Sequence, residues 1–225
     1  MKTKVTILMI LLVFLLTSAF RDIKRSENFE NDPVSPDDEN KFVLVRNEDD
    51  ISLYLRWIQI NKNTSTRQIK ADFVVDCPAP NVVSVLCDEK TYQHWMKATK
   101  SCYRLKTIDT NQWYSYFQFT IPWPLNNQDC VLKYQVLDYK ESSKTVISLV
   151  SDTGYLKPYK GIERISHIEG CWIITQLGGG KTHVEYYVYS VQKPKFPTWM
   201  TDPLVQKNLI RTMDGLRNLA MNPSK

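Results

Sequence analysis

Short strand-like segments, in which apolar and polar side chains alternate, occupy most of the chain between residues 102 and 191. Successive side chains of a strand point to opposite faces of a sheet, so this alternation predicts strands with one buried face. Consecutive strands joined by short turns pair as antiparallel hairpins. Two similar segments come earlier in the chain. The predicted strands are residues 50–60, 66–75, 102–108, 112–121, 130–139, 145–151, 162–169, 171–177 and 182–191.

Two other segments have helical spacing. Residues 80–96 begin with Pro80, which suits the first turn of a helix, and carry apolar side chains three and four residues apart. The longer segment, from about residue 198 to residue 220, also repeats its apolar residues at helical intervals. Those residues are Val205, Leu209, Met213, Leu216 and Ala220.

These elements predict one architecture. A curved antiparallel sheet of this size has an apolar concave face that must be covered, and a single long helix laid across it is sufficient. We therefore expect an α+β fold in which a curved antiparallel sheet wraps around a long C-terminal helix. Aromatic residues are 12% of the chain, and where their rings are too large to close the gap, a cavity remains.

The chain divides into three parts by composition. Residues 1–19 combine a basic start, an apolar run and small residues before a cleavage point after about Ala19, which is the pattern of a secretory signal peptide. The apolar run is short for a membrane span, and an uncleaved anchor is the alternative. Residues 20–41 are polar and charged, which favours a flexible linker, and the folded domain covers residues 42–225.

The export signal and the charge balance limit the partners. We expect an exported protein, periplasmic in a Gram-negative source or otherwise secreted. The formal net charge of +5 falls to +3 when Lys2 and Lys4 are removed with the signal (5 − 2). The remaining basic residues are scattered among acids, so we expect no nucleic acid partner.

Neither the cysteines nor the known catalytic motifs indicate an active site. Cys77, Cys87, Cys102, Cys130 and Cys171 include no CxxC pair and no zinc spacing with histidine. Export permits disulfides, but we interpret most of these residues as small buried apolar groups. The chain contains no GxSxG, no HExxH and no phosphate-binding glycine loop. The sequence therefore predicts no catalytic residue, no metal and no cofactor.

Residues 122–129, PWPLNNQD, resemble the P-x-P-L-x-N-R-D segment of START domains, the lipid-transfer fold related to the steroidogenic acute regulatory protein. Four further motifs agree with that family in order along the chain. They are the strand 51–60, the aromatic pair Tyr92 and Trp95 after Pro80, GIERI at 161–165, and VEY at 184–186 followed by Pro194, Pro197 and Trp199. The resemblance covers about residues 42–220, and the chain is identified as a bacterial exported member of this family.

The resemblance implies the helix-grip fold and a tunnel, between sheet and C-terminal helix, that takes one lipid, sterol-like compound or fatty acid. Two departures bear on the ligand. Gln128 stands where the family usually has arginine. Some sterol-binding members bury an acid–arginine pair in the cavity, and Ser115 and Tyr134 stand at the approximate matching positions here, so no specific sterol is implied.

We expect the tunnel wall to combine the apolar faces of two strands and the C-terminal helix, although each residue taken singly is also consistent with an ordinary core position. The predicted wall residues are Ser115, Phe117, Phe119, Leu132, Tyr134, Val136, Val205, Leu209 and Met213. His167 falls where some family members place a cavity histidine, and we predict that it contacts a polar group of the ligand. The alternative is a hydrogen-bonded core or surface histidine.

The loop 152–160 carries four apolar or aromatic side chains, including Tyr155 and Leu156, which an ordinary solvent loop does not need. The matching family loop caps the tunnel, so we interpret it as a mobile lid that meets Trp199 and Met200 at the start of the helix. The alternative is a satellite hydrophobic cluster. Basic residues would ring the mouth and favour anionic lipid surfaces. They are Lys157, Lys160, Lys193 and Lys195.

Three functions remain open from the sequence. The first is binding, and transfer, of one hydrophobic ligand by a monomer that touches a membrane surface transiently. The second is a small-molecule enzyme of the same superfamily, of the cyclase or aromatase kind. The third is an interaction module with a filled core. Arg164 is expected to be structural and to pair with a carboxylate such as Glu163 or Glu185.

Overall fold

The computed structural model describes residues 41–121, 126–139, 142–191 and 197–222, and for residues 198–200 it describes the backbone alone. The predicted signal peptide and most of the predicted linker therefore lie outside the described residues. The strands are β1 (Val43–Glu48), β2 (Ile51–Asn61), β3 (Thr64–Val75), β4 (Thr99–Thr107), β5 (Gln112–Phe119), β6 (Gln128–Tyr139), β7 (Lys144–Ser151), β8 (Glu163–Arg164), β9 (Ile168–Gln176) and β10 (Thr182–Ser190). The α-helices are α1 (Ala79–Cys87), α2 (Tyr92–Trp95) and α3 (Thr198–Met221).

These strands form one sheet of ten, in the order β1-β2-β3-β10-β9-β7-β6-β5-β4. Every pair along that order is antiparallel, and the two-residue β8 pairs in parallel with the start of β6. The long α3 lies against the concave face. The predicted fold, a curved antiparallel sheet around a long C-terminal helix, is confirmed.

Gly170 lies in the interior of β9, where two strands come unusually close. A Cβ atom at this position would lie 2.2 Å from the carbonyl oxygen of Tyr187 on β10, so no other residue fits without moving the backbone. Glycine inside a strand often marks such an approach. The alternation predicts separate strands at 162–169 and 171–177, whereas β9 runs from Ile168 through Gly170 to Gln176.

The edge strand β1 is not predicted from the sequence. It joins β2 through a tight turn at Asp49 and Asp50, whose φ angles of 53° and 58° lie in the left-handed region that aspartate tolerates. Val43 and Leu44 are 58% and 52% exposed. Because both faces of this strand are largely open to solvent, its sequence carries little of the alternation that marks a half-buried strand.

The predicted helix 80–96 is broken at Asp88. The backbone of Asp88 is extended, and its carboxylate accepts a hydrogen bond from the backbone N–H of Lys90, which caps a short 3₁₀ turn. The break turns Glu89 inward, where its carboxylate accepts hydrogen bonds from Ser115 Oγ at 2.6 Å and from Arg104 Nε at 2.9 Å. The prediction of one continuous helix is therefore wrong, because this inward ion pair interrupts it.

One end of the space between sheet and helix is filled by aromatic rings. Trp95 of α2 is 1% exposed and lies 6.2 Å, edge to face, from the ring of Trp172 on β9. Its ring centroid is 4.8 Å from that of Tyr92, whose hydroxyl donates to the carbonyl of Leu86. Three buried residues of α3 lie outside the described cavity wall. They are Ile210, Leu216 and Ala220.

Gly215 lets α3 approach α2 closely. A Cβ atom at Gly215 would lie 2.9 Å from the carbonyl oxygen and 3.0 Å from the Cα atom of Trp95. These are backbone atoms, so no side-chain rotation would relieve the contact. The C-terminal half of α3 is thereby fixed against the filled end of the fold. No helix in the described part of the chain is both long and apolar enough to cross a membrane.

We predict that Gly215→Val destabilises the protein, even though helix propensity alone favours valine over glycine. The added side chain overpacks against the Trp95 backbone, and overpacking costs about 1–3 kcal/mol, which lowers Tm by about 2–4 °C per kcal/mol in a chain of this size. Thermal unfolding measures the effect. Gly178→Val is the control, because a Cβ there meets nothing within 4 Å. Equal melting temperatures for the two variants would contradict the close approach.

Candidate ligand-binding site

A cavity of about 660 Å³ lies between the concave face of the sheet and α3. Ligand pockets in proteins commonly hold roughly 300–1,000 Å³, so this volume is sufficient for one small molecule. Residues of β2, β3, β5, β6, β9 and β10, with Val45 of β1 and Leu149 of β7, form its floor. Residues 96–98 form one side, and α3 from Thr201 to Met213 forms its roof. The filled end at Trp95 closes it in one direction.

The inner part of the wall is apolar and aromatic. Phe117 and Phe119 on β5 stack with ring centroids 6.1 Å apart, and Trp172 on β9 stacks on Tyr186 of β10 at 4.0 Å. Leu132 is buried beside them on β6. Rings that pack on one another hold their positions, so this part of the wall is preformed.

The wall becomes polar toward the other end. Along the inward face of β3, Ala71 is buried, Ile69 is half-buried, and Arg67 and Ser65 follow. Arg67 forms a two-pronged ion pair with Asp202 of α3, with Nη1–Oδ2 at 2.6 Å and Nη2–Oδ1 at 3.0 Å. Both side chains keep about a quarter of their surface exposed, 28% and 27%. This end of the cavity is its mouth.

The titratable groups of the inner wall stay neutral near pH 7. Burial raises the pKa of Tyr134 and of Tyr186. Nearby tyrosine and cysteine groups raise the pKa of Tyr134 further, and nearby cysteines raise that of Tyr186. Burial and the adjacent Asp129 carboxylate raise the pKa of the Cys130 thiol. These side chains can donate a hydrogen bond to a ligand, but none of them supplies an ionised nucleophile.

Half of the predicted site residues line the cavity. They are Phe117, Phe119, Leu132, Tyr134, Val205, Leu209 and Met213. The predicted alternation of β5 and β6 placed their inward faces correctly, and helical spacing placed the roof. The backbones of Trp199 and Met200 begin α3, and their side chains lie outside the described structure. That the lining residues bind a ligand stays a prediction.

Ser115 and Val136 are not part of the described cavity wall. Ser115 is fully buried, but its hydroxyl donates to Glu89, whose carboxylate also pairs with Arg104. Ser115 thus belongs to the filled side of the core, beside the break between α1 and α2. Val136 is half-buried, farther along β6 than Tyr134, which is the last residue of that strand to reach the cavity.

The loop 152–160 packs on the outer face of the sheet. Tyr155 stacks on Tyr114 at 4.3 Å, and Tyr159 meets Tyr116 edge to face at 5.7 Å. Tyr114 and Tyr116 alternate with the inward residues of β5, so they point away from the cavity. The described cavity wall contains neither Tyr155 nor Leu156. The placement of these residues matches a satellite hydrophobic cluster, which was the alternative to a lid. Lys157 and Lys160 belong to the same loop and therefore lie on the outer face, away from the mouth. Lys193 and Lys195 lie outside the described residues.

A buried ion pair holds that loop. Asp129 is fully buried, and its carboxylate accepts from Arg164 Nε at 2.6 Å and Nη2 at 3.1 Å, while Arg164 Nη1 donates to the carbonyl of Leu156 at 2.7 Å. Arg164 thus pairs with a carboxylate, as expected from the sequence; the carboxylate in this bidentate pair is that of Asp129, whereas Glu163 and Glu185 were named as examples. His167, a little farther along, is exposed, and its carbonyl accepts from Val191.

Sequence reasoning missed the polar rim and the part of the wall on β2 and β3. Leu53 and Leu55 of β2 and Ile69 of β3 line the cavity. Arg67 is in phase with Ile69, Ala71 and Phe73 along β3, so the alternation did carry a signal that this arginine faces inward. Nothing in the sequence pairs it with Asp202, which is 135 residues later. The described residues contain no cluster of three or more groups suited to hold a metal ion.

Comparisons with known proteins agree with this geometry. The sequence profile of the START domain matches residues 37–220. No curated protein sequence matches the chain. Among solved structures, the STAR-related lipid transfer protein from Xanthomonas axonopodis superposes with a TM-score of 0.71 at 22% identity, covering 80% of this chain and 99% of that one.

Two further structures show how widely the fold is shared. Human STARD10 superposes with a TM-score of 0.67 at 18% identity, over 88% of this chain and 78% of that one. The ZhuI aromatase/cyclase from Streptomyces gives a TM-score of 0.52 at 15% identity, over 69% of this chain and 94% of that one. At such identities the likeness establishes the fold alone.

We predict that Arg164→Met strongly destabilises the protein, because it leaves the Asp129 carboxylate buried without its partner. Removing one member of a buried ion pair costs about 3–5 kcal/mol, which denaturant unfolding measures. Arg46→Met is the matched control, since Arg46 pairs with Glu48 on the surface at 30% and 46% exposure and such pairs contribute about 0–1 kcal/mol. A loss below 1 kcal/mol for both variants would contradict a structural role for the Asp129–Arg164 pair.

Proposed function

The chain belongs to the START domain family, and on that premise we propose that it binds one hydrophobic small molecule, a lipid, sterol-like compound or fatty acid, in the cavity under α3. The observation that carries this proposal is a preformed apolar cavity of about 660 Å³. Burying several hundred Å² of apolar ligand at about 25 cal/mol per Å² contributes on the order of 10 kcal/mol before association costs. Such binding needs no charged anchor.

The chain acts as a carrier and not as an enzyme. In support, burial keeps the hydroxyls of Tyr134 and Tyr186 and the thiol of Cys130 protonated, so none of them is an ionised nucleophile. The likeness to an aromatase/cyclase keeps a small-molecule enzyme of the cyclase or aromatase kind as the second candidate, because such an enzyme works by shaping an apolar pocket. An interaction module with a filled core is the third, and the cavity volume argues against it.

We further propose that the ligand is exchanged at a membrane surface, which the monomer touches transiently. Apolar side chains at the mouth support this: Trp57 is 40% exposed, Val205 43% and Val45 37%, and all three line the cavity. Amphipathic aromatic rings favour the interface between lipid and water.

We also propose that the protein is exported, which rests on the signal-like residues 1–19. Sequencing the mature N-terminus of protein from the host tests export. An intact Met1 on cytoplasmic protein would contradict it.

Native mass spectrometry of protein purified from its own host tests the function directly. We expect a single added mass in the range of a lipid, lost on denaturation and recovered chemically unchanged. A product that differs from the ligand supplied would support the enzyme instead. Protein that never carries an added mass, and that takes up no lipid from vesicles, would contradict the proposal.

We predict that Met213→Trp fills the cavity with little loss of stability and abolishes ligand binding. Met213 is fully buried and lines the cavity, as Phe119 and Tyr134 do, so the larger ring has space to enter. Ile210→Trp is the control, because Ile210 is 2% exposed on the same helix but is not part of the cavity wall. There, overpacking should cost about 1–3 kcal/mol.

Thermal unfolding and binding of a fluorescent sterol measure both effects. The expected result is a clear loss of Tm for the control alone and a clear loss of binding for Met213→Trp. If Met213→Trp lowers Tm by several degrees and binds the sterol as well as the unchanged protein, the cavity is not the ligand site.

A further inference from the structure

We propose that Arg67 is the contact for an anionic headgroup, so that the ligand is an amphiphile whose carboxylate or phosphate lies at the mouth of the cavity. This inference rests on the proposed function and specifies its ligand class. It follows from the position of Arg67, from the form of its ion pair with Asp202, and from the charge of the cavity wall.

The position of Arg67 orients an amphiphile. On the concave face of β3, Phe73 and Ala71 are buried, and Ile69 and then Arg67 follow toward the mouth. Beside it, the inward face of β10 changes from Val188 to Ser190 in the same direction. An alkyl chain therefore lies against the inner wall, and the polar end of the same molecule lies at Arg67.

The ion pair shows what Arg67 can bind. Asp202 accepts one N–H from each terminal nitrogen of Arg67, at 2.6 Å and 3.0 Å, which is the fork geometry that suits carboxylates and phosphates. A guanidinium has five N–H donors, so three remain beyond these two. Without a ligand, the Asp202 carboxylate occupies the place that a ligand carboxylate would take.

The charges of the wall favour an anion. Among the described residues that line the cavity, Arg67 and Lys97 are cationic and Asp202 is anionic. Lys97 follows α2, and its backbone N–H donates to Thr212 of α3, ten residues along the helix from Asp202. Arg67 is therefore the cation of the described wall that lies at the mouth. An arginine that served only to fix α3 would not need to line the cavity or keep 28% of its side chain exposed.

A matched pair of fluorescent probes tests the inference: pyrenedecanoic acid, which is anionic at pH 7.5, and its neutral methyl ester. Both are titrated into the full chain, and the ratio of their dissociation constants is compared among variants. Arg67→Gln should weaken binding of the acid by about 10- to 100-fold, the range for loss of charge-assisted hydrogen bonds, and leave binding of the ester unchanged. Asp202→Asn should strengthen binding of the acid alone, because it removes the competing carboxylate.

Both variants should fold, since partly exposed ion pairs contribute about 0–1 kcal/mol. Arg217→Gln is the control: Arg217 pairs with Asp214 on the same helix at 2.7 Å, away from the described cavity wall, and the acid-to-ester ratio should not change. Competition for the acid probe then distinguishes the headgroups. If palmitate displaces the probe and hexadecyl phosphate does not, the site binds a carboxylate; if hexadecyl phosphate displaces it as well as palmitate or better, the site also accepts a phosphate. If 1-hexadecanol displaces the probe as well as palmitate does, the inference is overturned.

The other outcomes are equally decisive. If the protein binds the ester but the acid-to-ester ratio is the same in Arg67→Gln and in the unchanged chain, the headgroup contact is wrong and the proposed function stands. If Asp202→Asn weakens both probes alike, the ion pair only fixes the helix, which also overturns the inference. If neither probe binds, the proposed function fails, and the inference fails with it.

Discussion

The contact between Gly215 of α3 and the backbone of Trp95 determines how the rest of the molecule is arranged. Because glycine has no side chain, the helix approaches the backbone of Trp95 closely, and the ring of Trp95 packs on Trp172 and Tyr92. That aromatic cluster fills one end of the concave face, and it fixes the C-terminal half of α3. The remaining half of the helix is held above the sheet, and the space beneath it is the cavity.

The two halves of α3 are therefore attached by different kinds of interaction. The C-terminal half is attached by close packing of fully buried residues, such as Leu216 and Ala220, whereas the start of the helix is attached by the partly exposed Arg67–Asp202 ion pair. Partly exposed ion pairs contribute little free energy compared with buried apolar surface. Thus the mouth is the weaker end of the roof, and it is also where a polar group is available to a ligand.

The sequence predicted what depends on periodicity and missed what depends on distant partners. Alternation placed Phe117, Phe119 and Leu132 on the cavity wall, and helical spacing placed Met213 above them. Periodicity reports the face of an element and not the residues across from it. The inward turn of Glu89 toward Arg104 and the pairing of Arg164 with Asp129 are contacts between separate segments. They break the first helix and hold the loop 152–160 on the outer face, which is why neither arrangement followed from the sequence pattern.

The central claim is that a hydrophobic molecule occupies the cavity between the sheet and α3. Photolabelling with a long-chain alcohol that carries a diazirine at its tail, followed by peptide sequencing, measures where the tail lies. The account predicts adducts on inner-wall residues such as Phe117, Leu149 and Met213, suppressed by excess unlabelled alcohol. Adducts confined to exposed apolar residues such as Val43, Tyr139 and Leu204, with no competition by unlabelled alcohol, would contradict it.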